Sequence, residues 1–112
     1  TKVNCFLVKK LLSEFYKDKI KVKNPNDLLI NNMKIAGILQ ETITKLDKKF
    51  IIIGIGVNLI KNPIIKDYPT TNLLNLTGVK IDPQNAILKL KKIYENFIPK
   101  FPKFNKKNIN RI

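Results

Sequence analysis

The stretch from Lys19 to Asn58 constrains the fold most, because it is written in the two-residue period of strands and interrupted only by turn chemistry. Lys19-Ile20-Lys21-Val22-Lys23 alternates strictly, the pattern of a half-buried strand. Asn24-Pro25-Asn26-Asp27 follows as a turn, since proline fixes φ and Asn and Asp side chains bond back to the local backbone. Leu28 to Ile30 resumes a strand, and Asn31-Asn32 predicts a tight reversal because asparagine tolerates positive φ. Lys34 to Thr44 reads as a second strand, Lys45 to Lys49 as a polar turn, and Phe50 to Asn58 as a third strand. That last run is apolar on both faces, which predicts a central position in the sheet. The three runs together predict one antiparallel meander.

Helical periodicity flanks this region. Val3, Phe6, Leu7, Leu11, Leu12 and Phe15 recur at helical spacing and predict an amphipathic helix over 2–17. Beyond the strands, 62–70 holds two prolines and reads as a loop. Asn72 to Thr77 predicts a short helix stopped by Gly78. Asp82-Pro83 is a helix start, with Asp as N-cap and Pro in the first turn. Ala86, Ile87, Leu90, Ile93, Phe97 and Ile98 then form an apolar stripe. The order helix, strands, helix predicts an α+β fold, an antiparallel or mixed sheet flanked by helices. Strands and helices do not alternate, so a doubly wound nucleotide fold is not expected. The tail from 99 to 112 is basic and poorly patterned, and is expected to fray.

Composition narrows the chemistry. A chain of 112 residues, 44% hydrophobic, can bury one core. Histidine is absent and Cys5 is the single cysteine, which removes histidine-based triads, zinc clusters and a disulfide framework. No signal-peptide pattern opens the chain at Thr1, and the apolar run from Phe50 to Ile60 is too short to span a bilayer. A cytoplasmic setting is expected. The net charge of +14 raises nucleic acid as a partner. Arg111 is the only arginine, however, and the lysines are spread along the whole chain, so a lysine-rich composition is the simpler account. The charge is also compatible with attraction for ATP or an acidic carrier protein.

Three segments carry a resemblance. Lys23-Asn24-Pro25-Asn26-Asp27-Leu28 is similar to a Lys-Trp-Pro-Asn-Asp-Leu motif. Lys34-Ile35-Ala36-Gly37-Ile38-Leu39-Gln40-Glu41 resembles a Lys-hydrophobic-Ala/Gly-Gly-Ile-Leu segment. Ile53-Gly54-Ile55-Gly56-Val57-Asn58 is close to Gly-hydrophobic-Gly-hydrophobic-Asn. Each is modest alone, but in this order and spacing the set resembles the biotin–protein ligase family, over about residues 1–98, as the second half of its catalytic core. The fold implied is the core shared with class II aminoacyl-tRNA synthetases. The activity implied joins biotin to ATP, with Mg2+, as biotinyl-AMP, and then passes biotin to a lysine of a biotin carboxyl carrier protein.

The resemblance also implies a site. A carboxylate attacking the α-phosphate of ATP builds charge on phosphoryl oxygens, which a fixed cation stabilises. Lys34, at a strand start after a tight reversal, is placed for this, and the matching family lysine contacts the biotin carboxyl and the adenylate phosphate. A solvated hairpin lysine is the alternative. Gly37 would let ligand approach the strand closely, or would be a bulge or packing glycine. Asn26 and Asp27 would orient substrate, or hold magnesium, or simply cap their turn. Asn58 inherits contact with the nucleotide half, with a polar strand end as the alternative. Gly54 and Gly56 are not a dinucleotide fingerprint, because the third glycine would fall at Leu59.

The pattern departs in places. Asn24 stands where the family has Trp. Relative to the family pattern, the chain begins after the Gly-Arg-Gly-Arg-Arg-Gly type loop and the strand that binds the biotin ring, so half of the pocket wall is expected from elsewhere. The alternatives are an inactive remnant or one half of a split enzyme acting as an interaction module through exposed sheet edges, possible homo-oligomers included. A lipoate ligase and a basic nucleic-acid binder are less favoured.

Overall fold

The computed structural model describes residues 2–23 and 25–98. Thr1, Asn24 of the predicted turn, and the tail 99–112 lie outside the described residues. The order is α1 (Lys2–Ser13), β1 (Lys21–Lys23), β2 (Asp27–Ile30), β3 (Met33–Lys45), β4 (Lys48–Val57), α2 (Leu73–Thr77) and α3 (Pro83–Phe97). This is the α+β arrangement that the sequence predicts.

The strands form a single antiparallel meander in the order β1-β2-β3-β4. Asn31 and Asn32 both take positive φ, 52° and 60°, so the β2–β3 reversal twists with the strands it joins. The predicted polar turn 45–49 is shorter than expected. Strand pairing continues to Lys45 and Lys48, and only Leu46 and Asp47, at φ 51° and 62°, make the reversal.

Two strand expectations need correction. β1 is wholly exposed; the buried residue of its alternating run is Ile20, just before it. Its position at one end of the sheet, with a single partner, accounts for this. β4 is not central but lies at the other end of the described sheet. Its run is apolar on both sides for another reason. Ile53 and Ile55 fill the core, while Gly54 and Gly56 floor an open cleft on the opposite face.

α1 and α3 cover the core face of the sheet. Leu7, Val8, Leu11 and Leu12 of α1 meet Leu28, Ile30, Ile35, Ile38, Ile53 and Ile55 of the strands and Ala86, Leu90 and Tyr94 of α3. α1 stops at Ser13 rather than at 17. The Ser13 hydroxyl donates to the Lys9 carbonyl at 2.8 Å, and the N–H groups of Glu14 and Phe15 reach back only three residues, to Leu11 and Leu12. Phe6 (54% exposed) and Ile87 (39%) fall off the buried stripes predicted to include them. Asn4 and Tyr94 instead lie inside: the Tyr94 hydroxyl donates to Asn4 Oδ1 at 2.8 Å, and Asn4 Nδ2 donates to Gln40 Oε1 at 2.7 Å. Cys5 is buried, which pushes its thiol up and makes it a core residue rather than a nucleophile.

α2 and α3 start and stop as their residues dictate. Asn72 Oδ1 accepts from the Asn75 N–H at 2.8 Å, and Gly78 at φ 74° closes α2 with its N–H on the Leu74 carbonyl. Asp82 caps α3, with Pro83 in its first turn. Among the described residues no helix is long and apolar enough to cross a membrane.

Candidate active site

The face of the sheet away from the helices carries a cleft of about 490 Å³. Asn26, Asp27, Lys34, Gly37 and Asn58, the five residues singled out by sequence, all line it, along with Gly54, Gly56 and Leu39. A local irregularity brings them together. Leu28 and Leu29, adjacent in β2, pair with Ala36 and Lys34, so Ile35 is an extra residue in β3. In a regular strand residues three apart point to opposite faces. The bulge cancels that: Lys34 and Gly37 oppose Leu29 and Asp27, which share the cleft face of β2.

The side chains confirm this placement. Lys34 Nζ lies 3.4 Å from Asp27 Oδ1, and both side chains are about three-quarters buried, at 27% and 23% exposure. A Cβ placed on Gly37 would lie 3.1 Å from both Cε and Nζ of Lys34 and 3.5 Å from Asp27 Oδ1. Gly37 is therefore the seat of the lysine tip, not the bulge itself. Gly56 pairs directly with Gly37, and a Cβ there would meet nothing within 4 Å. Close strand packing, the usual reason for such a glycine, does not apply at Gly56; it leaves the floor open.

The loop after β4 completes the arrangement. The Lys34 N–H donates to the Pro69 carbonyl at 2.8 Å, and the Thr71 N–H donates to the Lys34 carbonyl at 2.9 Å, so 69–71 runs parallel to β3 and grips the lysine backbone. Asn58 holds this seam. Its Nδ2 donates to the Thr71 carbonyl at 3.0 Å and to that of Lys34 at 3.4 Å, while its Oδ1 accepts from none of the described residues. Asn26 uses its carbonyl on the Ile38 N–H, at 2.9 Å.

Tyr68 was not legible from sequence. Its hydroxyl donates to Asp27 Oδ2, and its ring centroid lies 4.5 Å from Lys23 Nζ and 5.7 Å from Lys34 Nζ. Burial, and then the hydrogen bond and the negative charge of Asp27, push the phenol up to about 12. It is a proton donor throughout the physiological range. Only the Tyr-Pro pair inside a polar loop hinted at an ordered residue there. The Lys34 ammonium in the cleft, with that of Lys23 on the Tyr68 ring nearby, outweighs the one carboxylate of Asp27 and suits this end to a carboxylate or a phosphate.

Among the described residues that line the cleft Asp27 is the one acidic side chain, and Lys34 and Tyr68 engage its oxygens, so a magnesium ion here would take most of its ligands from substrate phosphates and water.

Comparison with known proteins bears on what the cleft is for. Residues 5–58 match the model of the biotin/lipoate A/B protein ligase family, and four of the five cleft residues above lie before the last position of that span and Asn58 is its end. The chain is 38% identical over 86 residues to biotin–protein ligase 1, chloroplastic, of Arabidopsis thaliana, covering 76% of this chain and 22% of that protein. It is 36% identical over 88 residues to the bifunctional ligase/repressor BirA of Bacillus subtilis, covering 69% of this chain and 26% of the relative. The chain belongs to the biotin/lipoate protein ligase family. Its fold agrees with that of a family member, the biotin protein ligase from Aquifex aeolicus in complex with biotin and ATP, at a TM-score of 0.67 and 32% identity, over 88% of this chain and 42% of that one. The chain spans about a quarter of the length of the curated ligases it matches.

Proposed function

We propose that this chain is the second half of the catalytic core of a biotin–protein ligase, acting in the cytoplasm. Biotin and ATP would give biotinyl-AMP and pyrophosphate. The ε-amine of a lysine on a biotin carboxyl carrier protein would then attack the mixed anhydride and release AMP. The observation that carries this reading is the Lys34 ammonium, seated on Gly37 over a glycine floor, in the same cleft as Asn58.

The chemistry follows from that geometry. When the biotin carboxylate attacks the α-phosphate, negative charge grows on the phosphoryl oxygens. An ammonium already held in place stabilises that charge without reorganising at the moment of reaction. Asp27 orients Lys34, and Gly37, Gly54 and Gly56 let the substrate chain lie close to the sheet. Asn26 contributes to the same wall, and Asn58 Oδ1 is free to receive a donor from the nucleotide half. Magnesium would arrive as the companion of ATP and would partly neutralise its phosphates.

The test is reconstitution. The chain is mixed with biotin, ATP and a carrier domain, with and without an upstream half containing the arginine–glycine loop. Biotin transfer is expected when that half is supplied, and Lys34→Ala is expected to lower it by roughly 10²–10³-fold. No transfer with the upstream half present would overturn the ligase reading in favour of a non-catalytic interaction module.

A further inference from the structure

We propose that Tyr68 is a positioning residue of this site: its phenol holds Asp27 by Oδ2, so that Oδ1 faces Lys34 and the ammonium stays aimed across Gly37. The inference rests on the ligase reading for its functional consequence, but its structural content stands apart from that reading.

Three contacts converge on Tyr68. Its hydroxyl reaches Asp27, and its ring lies within cation–π range of both Lys23 and Lys34. The backbone delivers it there. Ile65 to Tyr68 forms a tight turn, closed by the Tyr68 N–H on the Ile65 carbonyl at 3.2 Å, with Asp67 at φ 61°. The next residue, Pro69, accepts the Lys34 N–H. One short segment therefore holds the backbone of Lys34 and also the side chain that fixes its partner.

The physics of a half-satisfied carboxylate explains why a phenol is useful here. An ionised carboxylate with both oxygens free would turn to engage the ammonium with either or both. The lysine would then be drawn off the cleft floor toward Asp27. A phenol on Oδ2 occupies that oxygen, fixes the carboxylate plane and shares its charge. Lys34 is left with one carboxylate contact, at 3.4 Å, which it can exchange for a substrate carboxylate or phosphate.

Tyr68→Phe is the decisive variant, because it keeps the ring and both cation contacts while deleting the hydroxyl. The first measurement is NMR of the Lys34 Cε methylene in the chain itself. The ring current persists in Tyr68→Phe, so a changed Cε proton shift reports movement of the lysine tip. The second is adenylate formation, with the upstream half supplied. We expect kcat to fall roughly tenfold with the KM for ATP little changed, as for a misplaced rather than a missing group. Should Tyr68→Phe unfold the chain, Tyr68→Leu serves instead, read by loss of the nuclear Overhauser effect between the Lys34 Cε protons and the Gly37 Cα protons, which does not depend on the ring current. Unmoved Lys34 signals in a folded variant would overturn the proposal, as would an unchanged kcat in an active wild type. Absence of adenylate from the wild type would count against the ligase reading alone, since the NMR measurement decides the positioning role without it.

Discussion

Gly37→Ala tests whether the close approach at Gly37 serves the backbone or the lysine. The new methyl would sit 3.1 Å from Lys34 Cε and Nζ, whereas carbon contacts relax at about 3.5–4.0 Å. The lysine tip must therefore retreat by a few tenths of an ångström. Asp27 Oδ1, at 3.5 Å from the same methyl, is just clear of it. Retreat is inexpensive for folding, because the crowded atoms end a flexible side chain and a partly exposed ion pair contributes about 0–1 kcal/mol. Alanine in a strand also recovers about 0.5–1 kcal/mol relative to glycine. Urea unfolding should thus place Gly37→Ala within about 1 kcal/mol of wild type. Catalysis should suffer more, because misplacing a reacting group by about 1 Å costs on the order of 10²-fold and a shift of a few tenths a fraction of that. We expect adenylate formation, with the upstream half supplied, to fall roughly tenfold. Two other glycines act as controls. Gly56→Ala meets no neighbour, so it should fold normally and yet obstruct ligand. Gly78→Ala, at φ 74°, should cost about 1 kcal/mol of stability and leave catalysis alone. A loss of more than about 3 kcal/mol in Gly37→Ala, beyond ordinary single-residue effects, would refute the reasoning, as would full activity.

Further outcomes follow from individual contacts. Tyr94→Phe removes a buried donor from Asn4 Oδ1 and should cost about 1–3 kcal/mol in urea unfolding. Leu46→Asn replaces an 88% exposed leucine held at φ 51° with a residue that tolerates that conformation, and should raise the thermal midpoint by an amount corresponding to about 1 kcal/mol. The Tyr68 phenol is raised from 10.0 to about 12, so the folded state keeps this proton longer than the unfolded state does. Its contribution to stability is full below pH 10 and is lost as pH rises through about 12. Tyrosinate absorbance should show this late step in wild type, lose it in Tyr68→Phe, and show it at lower pH in Asp27→Asn.

Much of the fold was written locally. Asn31-Asn32 made its reversal and Gly78 ended its helix because positive φ is a property of the residue itself. Asp82-Pro83 started α3 for the same kind of reason. The failures were of a different sort. An apolar strand such as β4 can owe its pattern to burial on both sides, or to a core on one side and a glycine-floored cleft on the other. Periodicity cannot separate the two, because glycine hides which. The exposure of Phe6 and Ile87 likewise depends on what packs against a helix, which is not a local property.

The site shows the limit more sharply. Lys34, Asp27 and Gly37 could be singled out one by one, yet strict alternation puts Lys34 and Gly37 on opposite faces of β3. Read that way, the lysine could not rest on the glycine. The extra residue at Ile35 reverses this, and Ile35 looks like any other strand isoleucine. What selects the bulge is not in β3 alone. Asn58 takes its own N–H to the Ile35 carbonyl at 2.9 Å and its amide to the Lys34 carbonyl, while Pro69 and Thr71 engage Lys34 from the loop. The groups that stabilise the irregular register thus come from 58–71, beyond the strand they deform. Asn58 therefore has a structural duty toward Lys34 in addition to any contact with a nucleotide. Asn58→Ala should consequently loosen the lysine as well as its own end of the cleft. A displaced Lys34 Cε signal in that variant without ligand would show the coupling; an unmoved one would assign Asn58 to the nucleotide alone.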